Sequence, residues 1–71
     1  MNKIIKLSKE DKEKFRIESG KLTTIELLQA TRELDIFKER FNNADYVWMT
    51  RVLGNKLYYK LKNAIKNLHF D

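Results

Sequence analysis

The chain has 71 residues, with 15 lysines and arginines against 10 aspartates and glutamates and a formal net charge of +5. This length holds one small domain, residues 1–71, near the lower size limit for folding unaided. Cysteine is absent and His69 is the only histidine, so disulfides and a zinc site are excluded. Domains this small rely on well-packed helices or on a partner, which leaves a free monomer and a homodimer both open.

No segment has the apolar length of a signal peptide or of a membrane span. The sequence therefore predicts a cytoplasmic protein that does not bind membranes. The chain has 11 lysines and six asparagines but no proline, a composition typical of AT-rich genomes. A phage or another mobile element is the expected source.

The charge is unevenly distributed. Residues 1–22 carry seven basic and four acidic groups, residues 23–50 carry three and five, and residues 51–71 carry five and one. The two ends are therefore positive and the middle is negative. This pattern suits an anionic partner at the ends, although a solvated lysine-rich surface would produce it too.

The first predicted helix spans about residues 9–19. Ser8 and Asp11 have the spacing of a capping box, and Gly20 can end the helix in the left-handed conformation. Only two residues of this helix, Phe15 and Ile17, are apolar. A short pair of strands, with alternating apolar residues at 5 and 7 and at 15 and 17, is therefore the alternative. Residues 1–7 are expected to be disordered or to form a short extended arm.

The second predicted helix spans about residues 24–41, with Thr23 or Thr24 as its cap. Apolar residues recur along it at the three- and four-residue spacing of a helical packing seam. This seam consists of Leu27, Ala30, Leu34, Phe37 and Phe41. A flanking stripe of Ile25, Leu28 and Ile36 predicts a second neighbour, and Glu26 and Glu33 make the remaining face acidic.

Residues 42–45 read as a tight connection in which Asn43 or Asp45 caps the last helix, about residues 45–69. An apolar stripe follows that helix without losing phase. It consists of Tyr46, Met49, Leu53, Leu57, Leu61, Ala64 and Leu68. Even so, Gly54 predicts a bend or break, because one helix of 25 residues would be long for so small a domain.

A break at Gly54 would create the outline of a helix-turn-helix, with a short apolar helix followed by a basic one. Asn55, Lys60 and Asn63 fit that motif poorly, because they fall at positions that it usually buries. The predicted fold is an all-α bundle of three to four helices, in which the middle helix packs antiparallel on the last one. Leu57, Leu61 and Leu68 should point inward, which leaves the lysines outside.

The last helix carries the candidate nucleic-acid-binding residues on its polar side. Lysine and arginine contact phosphates, asparagine can donate and accept at base edges, and tyrosine can stack on bases. The candidates are Arg51, Lys56, Tyr59, Lys60, Lys62, Asn63 and Lys66. The structural alternative is that Tyr59 packs on lysine stems and Phe70 folds back on the chain end.

Catalysis is not expected. It requires an acid–base pair, or a nucleophile with its base, and the chain offers neither at a suggestive spacing. His69 is expected to be exposed, and the carboxylates show no metal-loop spacing. The sequence therefore predicts a non-catalytic protein without a cofactor.

The leading hypothesis is a small regulatory protein that binds nucleic acid, DNA rather than RNA, through the basic last helix. The alternative is a protein-binding modulator, such as an inhibitor or antirepressor of another regulator. It would use the acidic middle helix and the aromatic-rich segment 46–53. The candidate interface residues are Tyr46, Trp48, Val52 and Phe70.

Overall fold

The computed structural model describes the backbone of residues 4–67 and side chains as far as residue 64. Three helices, α1 (Lys9–Gly20), α2 (Thr24–Ile36) and α3 (Asn43–Asn67), form a small all-α bundle, and a 3₁₀ turn (Lys38–Arg40) joins the last two. The predicted fold class is therefore confirmed. The predictions for Leu68, His69 and Phe70, and for the side chain of Lys66, lie outside the described residues.

α1 begins with the predicted capping box. Ser8 Oγ accepts a hydrogen bond from the Asp11 N–H, and Asp11 Oδ2 accepts one from the Ser8 N–H, both at 3.1 Å. The alternative of paired strands is wrong, because residues 9–20 form the helix that this cap begins. The expected left-handed Gly20 is also wrong: Gly20 is the last helical residue, and Lys21 caps the helix with φ −90°.

α2 is capped by Thr23, whose Oγ1 accepts from the Glu26 N–H at 3.2 Å. The predicted end at Phe41 is wrong, since α2 ends at Ile36 and the chain leaves α-helical geometry at Phe37 (φ −100°, ψ 14°). The 3₁₀ turn redirects the chain toward the N-terminal arm. Within the described part of the chain the flanking stripe meets no second neighbour, since Ile25, Leu28 and Ile36 are all more than half exposed.

The N-terminal arm, residues 4–7, is extended and lies against the connection between α2 and α3. The N–H of Ile5 donates to the Arg40 carbonyl at 2.6 Å, and the Ile5 carbonyl accepts from the Asn42 N–H at 3.2 Å. The prediction that Asn43 or Asp45 caps α3 is wrong, because Asn42 is the N-cap residue of this helix. Its Oδ1 accepts from the Asp45 N–H at 3.1 Å.

α3 is continuous through Gly54, so the predicted break and the helix-turn-helix are both wrong. The apolar stripe explains this continuity. Met49 and Leu53 lie one helical turn apart on the same face of α3, and both are buried in the core. Gly54 faces open space, with nothing within 4 Å of where a Cβ would stand. Its cost of about 1 kcal/mol relative to alanine is small beside the burial of that stripe.

The fully buried core is small and lies between α2 and α3, with α1 adding a third wall. Leu27, Leu34, Met49 and Leu53 form its centre. Tyr46, at the start of α3, donates to Asp35, at the end of α2, as expected for the predicted antiparallel neighbours. α1 runs parallel to α3, since Phe15 packs against Trp48 and, further along both helices, Gly20 lies beside Lys56.

The second half of α3 extends past this core. At 1.5 Å per residue, the 25 residues of α3 span about 37 Å, whereas α1 and α2, with 12 and 13, span about 18–20 Å. Leu57 still packs on the core, but Leu61 is 46% exposed. The prediction that Leu61 points inward is therefore wrong, because neither shorter helix reaches it.

Candidate nucleic-acid interface

The second half of α3 has one polar side and one apolar side. At about 100° per residue, the polar residues occupy one half of the helix circumference. We call this half the basic face; it consists of Arg51, Asn55, Lys56, Tyr59, Lys60, Lys62 and Asn63. All the predicted nucleic-acid-binding residues whose side chains are described therefore share one side of one helix.

The basic face lies mostly in solvent. Arg51, Tyr59, Lys62 and Asn63 are exposed, whereas Lys56 and Lys60 are half-buried. The two half-buried lysines line a cleft of about 410 Å³ between the C-terminal end of α1 and α3. The basic face is therefore an open surface with one concave site.

We call this concave site the basic cleft; it is lined by Arg16, Gly20, Val52, Asn55, Lys56, Tyr59 and Lys60. Three of these residues are cations, and none is a carboxylate. Arg16 was missed at the sequence level, because no pattern within α1 shows that this residue faces the last helix. Its contribution depends on the parallel packing of α1 along α3.

The ammonium group of Lys56 lies close to the C-terminal end of α1. A Cβ on Gly20 would stand 3.6 Å from Lys56 Nζ, so the ammonium group lies beside the last residue of that helix. The last turn of α1 contains no basic residue of its own. Since helix C-termini favour a nearby cation, Lys56 stabilises α1 and at the same time fixes one wall of the basic cleft.

The charges of the basic face are poorly neutralised. The ion pairs found in the described part of the chain are Lys12–Asp45, Arg16–Glu13 and Lys21–Glu18. None of them involves a lysine or arginine of α3. The Arg16–Glu13 pair is 3.8 Å long and exposed, so it is weak and leaves Arg16 available to another anion.

Two adjacent tyrosines protrude from α3, about 100° apart around the helix axis. Tyr58 and Tyr59 are 59% and 61% exposed, and their rings meet edge to face with centroids 5.5 Å apart. Lys62 Nζ lies 5.9 Å from the centre of the Tyr58 ring. Tyr59 instead lines the basic cleft, with most of its ring in solvent.

The candidate protein-interface residues lie where helices meet. Trp48 packs on Phe15 with ring centroids 5.7 Å apart, and Lys12 Nζ lies 5.6 Å from the Trp48 ring centre. Tyr46 is half-buried and bonded to Asp35, and Val52 forms a wall of the basic cleft. These side chains therefore hold the bundle together, and each offers only part of its surface to a partner.

A larger apolar groove, about 650 Å³, opens between α1 and α2 on the opposite side of the core. Met49 and Leu53 form its floor, and Phe15, Phe37 and Phe41 line its walls. Charged residues of both signs border it. We call it the α1–α2 groove.

Among the side chains that the structure describes, no three histidine, aspartate or glutamate residues cluster closely enough to hold a metal ion. Within the same part of the chain, every helix is too short or too polar to cross a membrane. No protein-family model, curated protein or solved structure matches the chain. The function must therefore be inferred from the geometry and charge of the described residues.

Proposed function

We propose that the chain is a small, non-catalytic regulatory protein that binds nucleic acid through the basic face of α3, with DNA as the first polymer to test. The observation that supports this proposal best is the unbalanced charge of that face. Its cations have no carboxylate partner among the described side chains, and they lie on a helix that extends beyond the bundle.

The roles of the residues follow from their chemistry. Arg51, Lys56, Lys60 and Lys62 would contact phosphates, because a polyanion gives up condensed counterions when cations of this kind approach it. Asn63 and Tyr59 would contact bases, since an amide can hydrogen-bond to base edges and a phenol ring can stack on them.

The test is a charge reversal with a matched control. The double variant K60E/K62E removes two cations from the basic face, whereas K9E/K38E makes the same change in net charge at exposed lysines outside it. Binding of labelled duplex DNA would be measured over a range of salt concentrations. Neutralising about five phosphates, one for each of the four phosphate-contacting cations and one for Lys66, predicts a slope of log affinity against log salt of about −4 to −5.

We expect K60E/K62E to reduce both the affinity and this slope, by about two for two lost phosphate contacts. K9E/K38E should bind nearly as tightly as the parent protein. Absence of binding to both duplex and single-stranded nucleic acid at low salt, or an equal loss in both variants, would overturn the proposal.

A protein-binding modulator is the second candidate, and the α1–α2 groove favours it. An apolar groove with a charged border is a common receptor for an amphipathic helix, and Phe37 on its wall is 44% exposed. A captured protein that persists after nuclease treatment, is lost with Phe37→Ser and is retained with K60E/K62E would favour this function over nucleic-acid binding.

A further inference from the structure

We infer that the basic cleft binds a phosphate of a single-stranded nucleic acid while Tyr59 stacks on an adjoining unpaired base. This inference rests on the proposed function and specifies its ligand. Arg16 belongs to the site as its contribution from α1, together with Lys56 and Lys60 from α3.

Cations from two helices line one concave site. Arg16 approaches from α1, and Lys56 and Lys60 approach from α3, around a volume of about 410 Å³ whose lining, among the residues that the structure describes, contains no carboxylate. Both lysines are half-buried, and charge interactions strengthen as water is excluded. An anionic group with several oxygens, such as a phosphodiester, would satisfy all three cations together.

Tyr59 lies where it can stack on a base beside the bound phosphate. Its ring lines the basic cleft and is 61% exposed, so a flat ligand bound beside the cleft can reach its face. Stacking on an aromatic ring is a general way of holding unpaired bases next to a positively charged track. A phosphate in the cleft and a base on Tyr59 would be neighbours along a single strand.

A duplex fits this arrangement less well. Its bases are stacked on one another, so Tyr59 could meet only their edges or the backbone. The phosphates bordering a groove of B-DNA are separated by about 6–12 Å of groove width, whereas the cations of the basic cleft surround one small volume. The continuous α3 also lacks the helix pair with which a helix-turn-helix would approach the major groove.

The experiment compares labelled oligothymidylate of about 15 nucleotides, a length that covers common single-strand site sizes, with oligouridylate and with a duplex of equal length. The variants are Tyr59→Leu and Arg16→Gln. Tyr58→Leu is the matched control, since Tyr58 is about as exposed as Tyr59 but does not line the basic cleft. Circular dichroism would verify that each variant is folded.

We expect single strands to bind more tightly than the duplex. Tyr59→Leu should weaken single-strand binding about 5- to 150-fold, the range for losing one stacked base, while Tyr58→Leu changes it little. Arg16→Gln should reduce the salt slope by about 0.7, as one lost phosphate contact on a single strand requires. Tighter binding of either oligothymidylate or oligouridylate than of the duplex supports the inference and identifies which of the two single strands is preferred.

Two results would overturn the inference while leaving the proposed function intact. They are duplex binding at least as tight as single-strand binding, and equal effects of Tyr59→Leu and Tyr58→Leu. Absence of binding to all three polymers at low salt would instead overturn the proposed function.

Discussion

The backbone N–H of Leu7 donates a hydrogen bond to Oδ2 of Asp45 at 2.9 Å, across 38 positions of sequence. Asp45 is only 5% exposed, and Lys12 Nζ lies 3.6 Å from its other carboxylate oxygen. One side chain in the first turn of α3 therefore holds both the N-terminal arm and α1. This contact fixes α1 against α3 and, with it, the position of Arg16 in the basic cleft.

Replacing Asp45 with alanine should destabilise the fold by about 1–3 kcal/mol, because the Leu7 N–H would lose its partner in a poorly hydrated place. Asp45→Asn keeps an acceptor of similar shape and should cost less. Urea denaturation measures both changes. Asp35→Ala, which removes the exposed bond to Tyr46, is the control and should cost less than Asp45→Ala. Equal stability of Asp45→Ala and the parent protein would show that the arm is not anchored there.

Two leucines of α3, eight positions apart, should differ sharply in their effect on stability. Leu53 is 1% exposed at the centre of the core, so Leu53→Ala should cost about 2–5 kcal/mol. Leu61 is 46% exposed beyond the shorter helices, so Leu61→Ala should cost no more than about 0.5 kcal/mol. Thermal denaturation distinguishes these outcomes, and a cost of several kcal/mol at Leu61 would mean that this residue is covered in solution.

Gly54→Ala should stabilise the protein by about 0.5–1 kcal/mol, because alanine has the higher helix propensity and the added methyl group meets nothing. Chemical denaturation would measure this gain. A loss of stability would indicate instead that Gly54 needs a conformation that alanine disfavours, as a turn between two helices would require.

The start of α1 should weaken in acid. The Ser8 backbone N–H, and then the Ser8 hydroxyl, hydrogen-bond to the Asp11 carboxylate and lower its pKa below the ordinary value, with the Lys14 charge adding to the effect. The pKa of Asp11 is lower in the folded protein than in the unfolded chain. The stabilisation from the charged carboxylate is therefore fully present above the pKa of the unfolded chain, and it is lost as the pH falls through the pKa of the folded protein. We therefore expect helicity to decrease below about pH 4.

A carbon-detected NMR titration of the Asp11 carboxyl group tests this directly. Its midpoint should lie below that of an aspartate in an unfolded peptide, and Ser8→Ala should move it upward. A midpoint at or above the peptide value would contradict the capping interaction.

The parts of the fold that depend on local chemistry were predictable from the sequence. The Ser8–Asp11 spacing predicts the start of α1, and Thr23 predicts the start of α2, because a helix cap uses only neighbouring residues. The predicted end of α2 was wrong because Phe41 packs on the core from beyond a 3₁₀ turn, whereas Phe37 is left 44% exposed. That turn is stabilised by the distant arm, through the Ile5 contacts with Arg40 and Asn42.

The candidate site was predictable only in part, because some of its residues meet through contacts between segments that are distant in the sequence. The basic face follows from the helical period of α3 alone. Arg16 enters the basic cleft through packing between helices, which no local pattern reports. The continuity at Gly54 reflects a balance between one unfavourable residue and the buried stripe around it, and sequence spacing alone does not decide that balance.

The most direct test of nucleic-acid binding by the basic face is to locate the contact on the protein. Backbone amide NMR spectra would be recorded during a titration with oligothymidylate at low salt. We predict that the largest shift changes fall on residues 51–63 and at Arg16, and that they reverse when salt is added. Changes confined to the α1–α2 groove, or none at saturating oligonucleotide, would contradict the account.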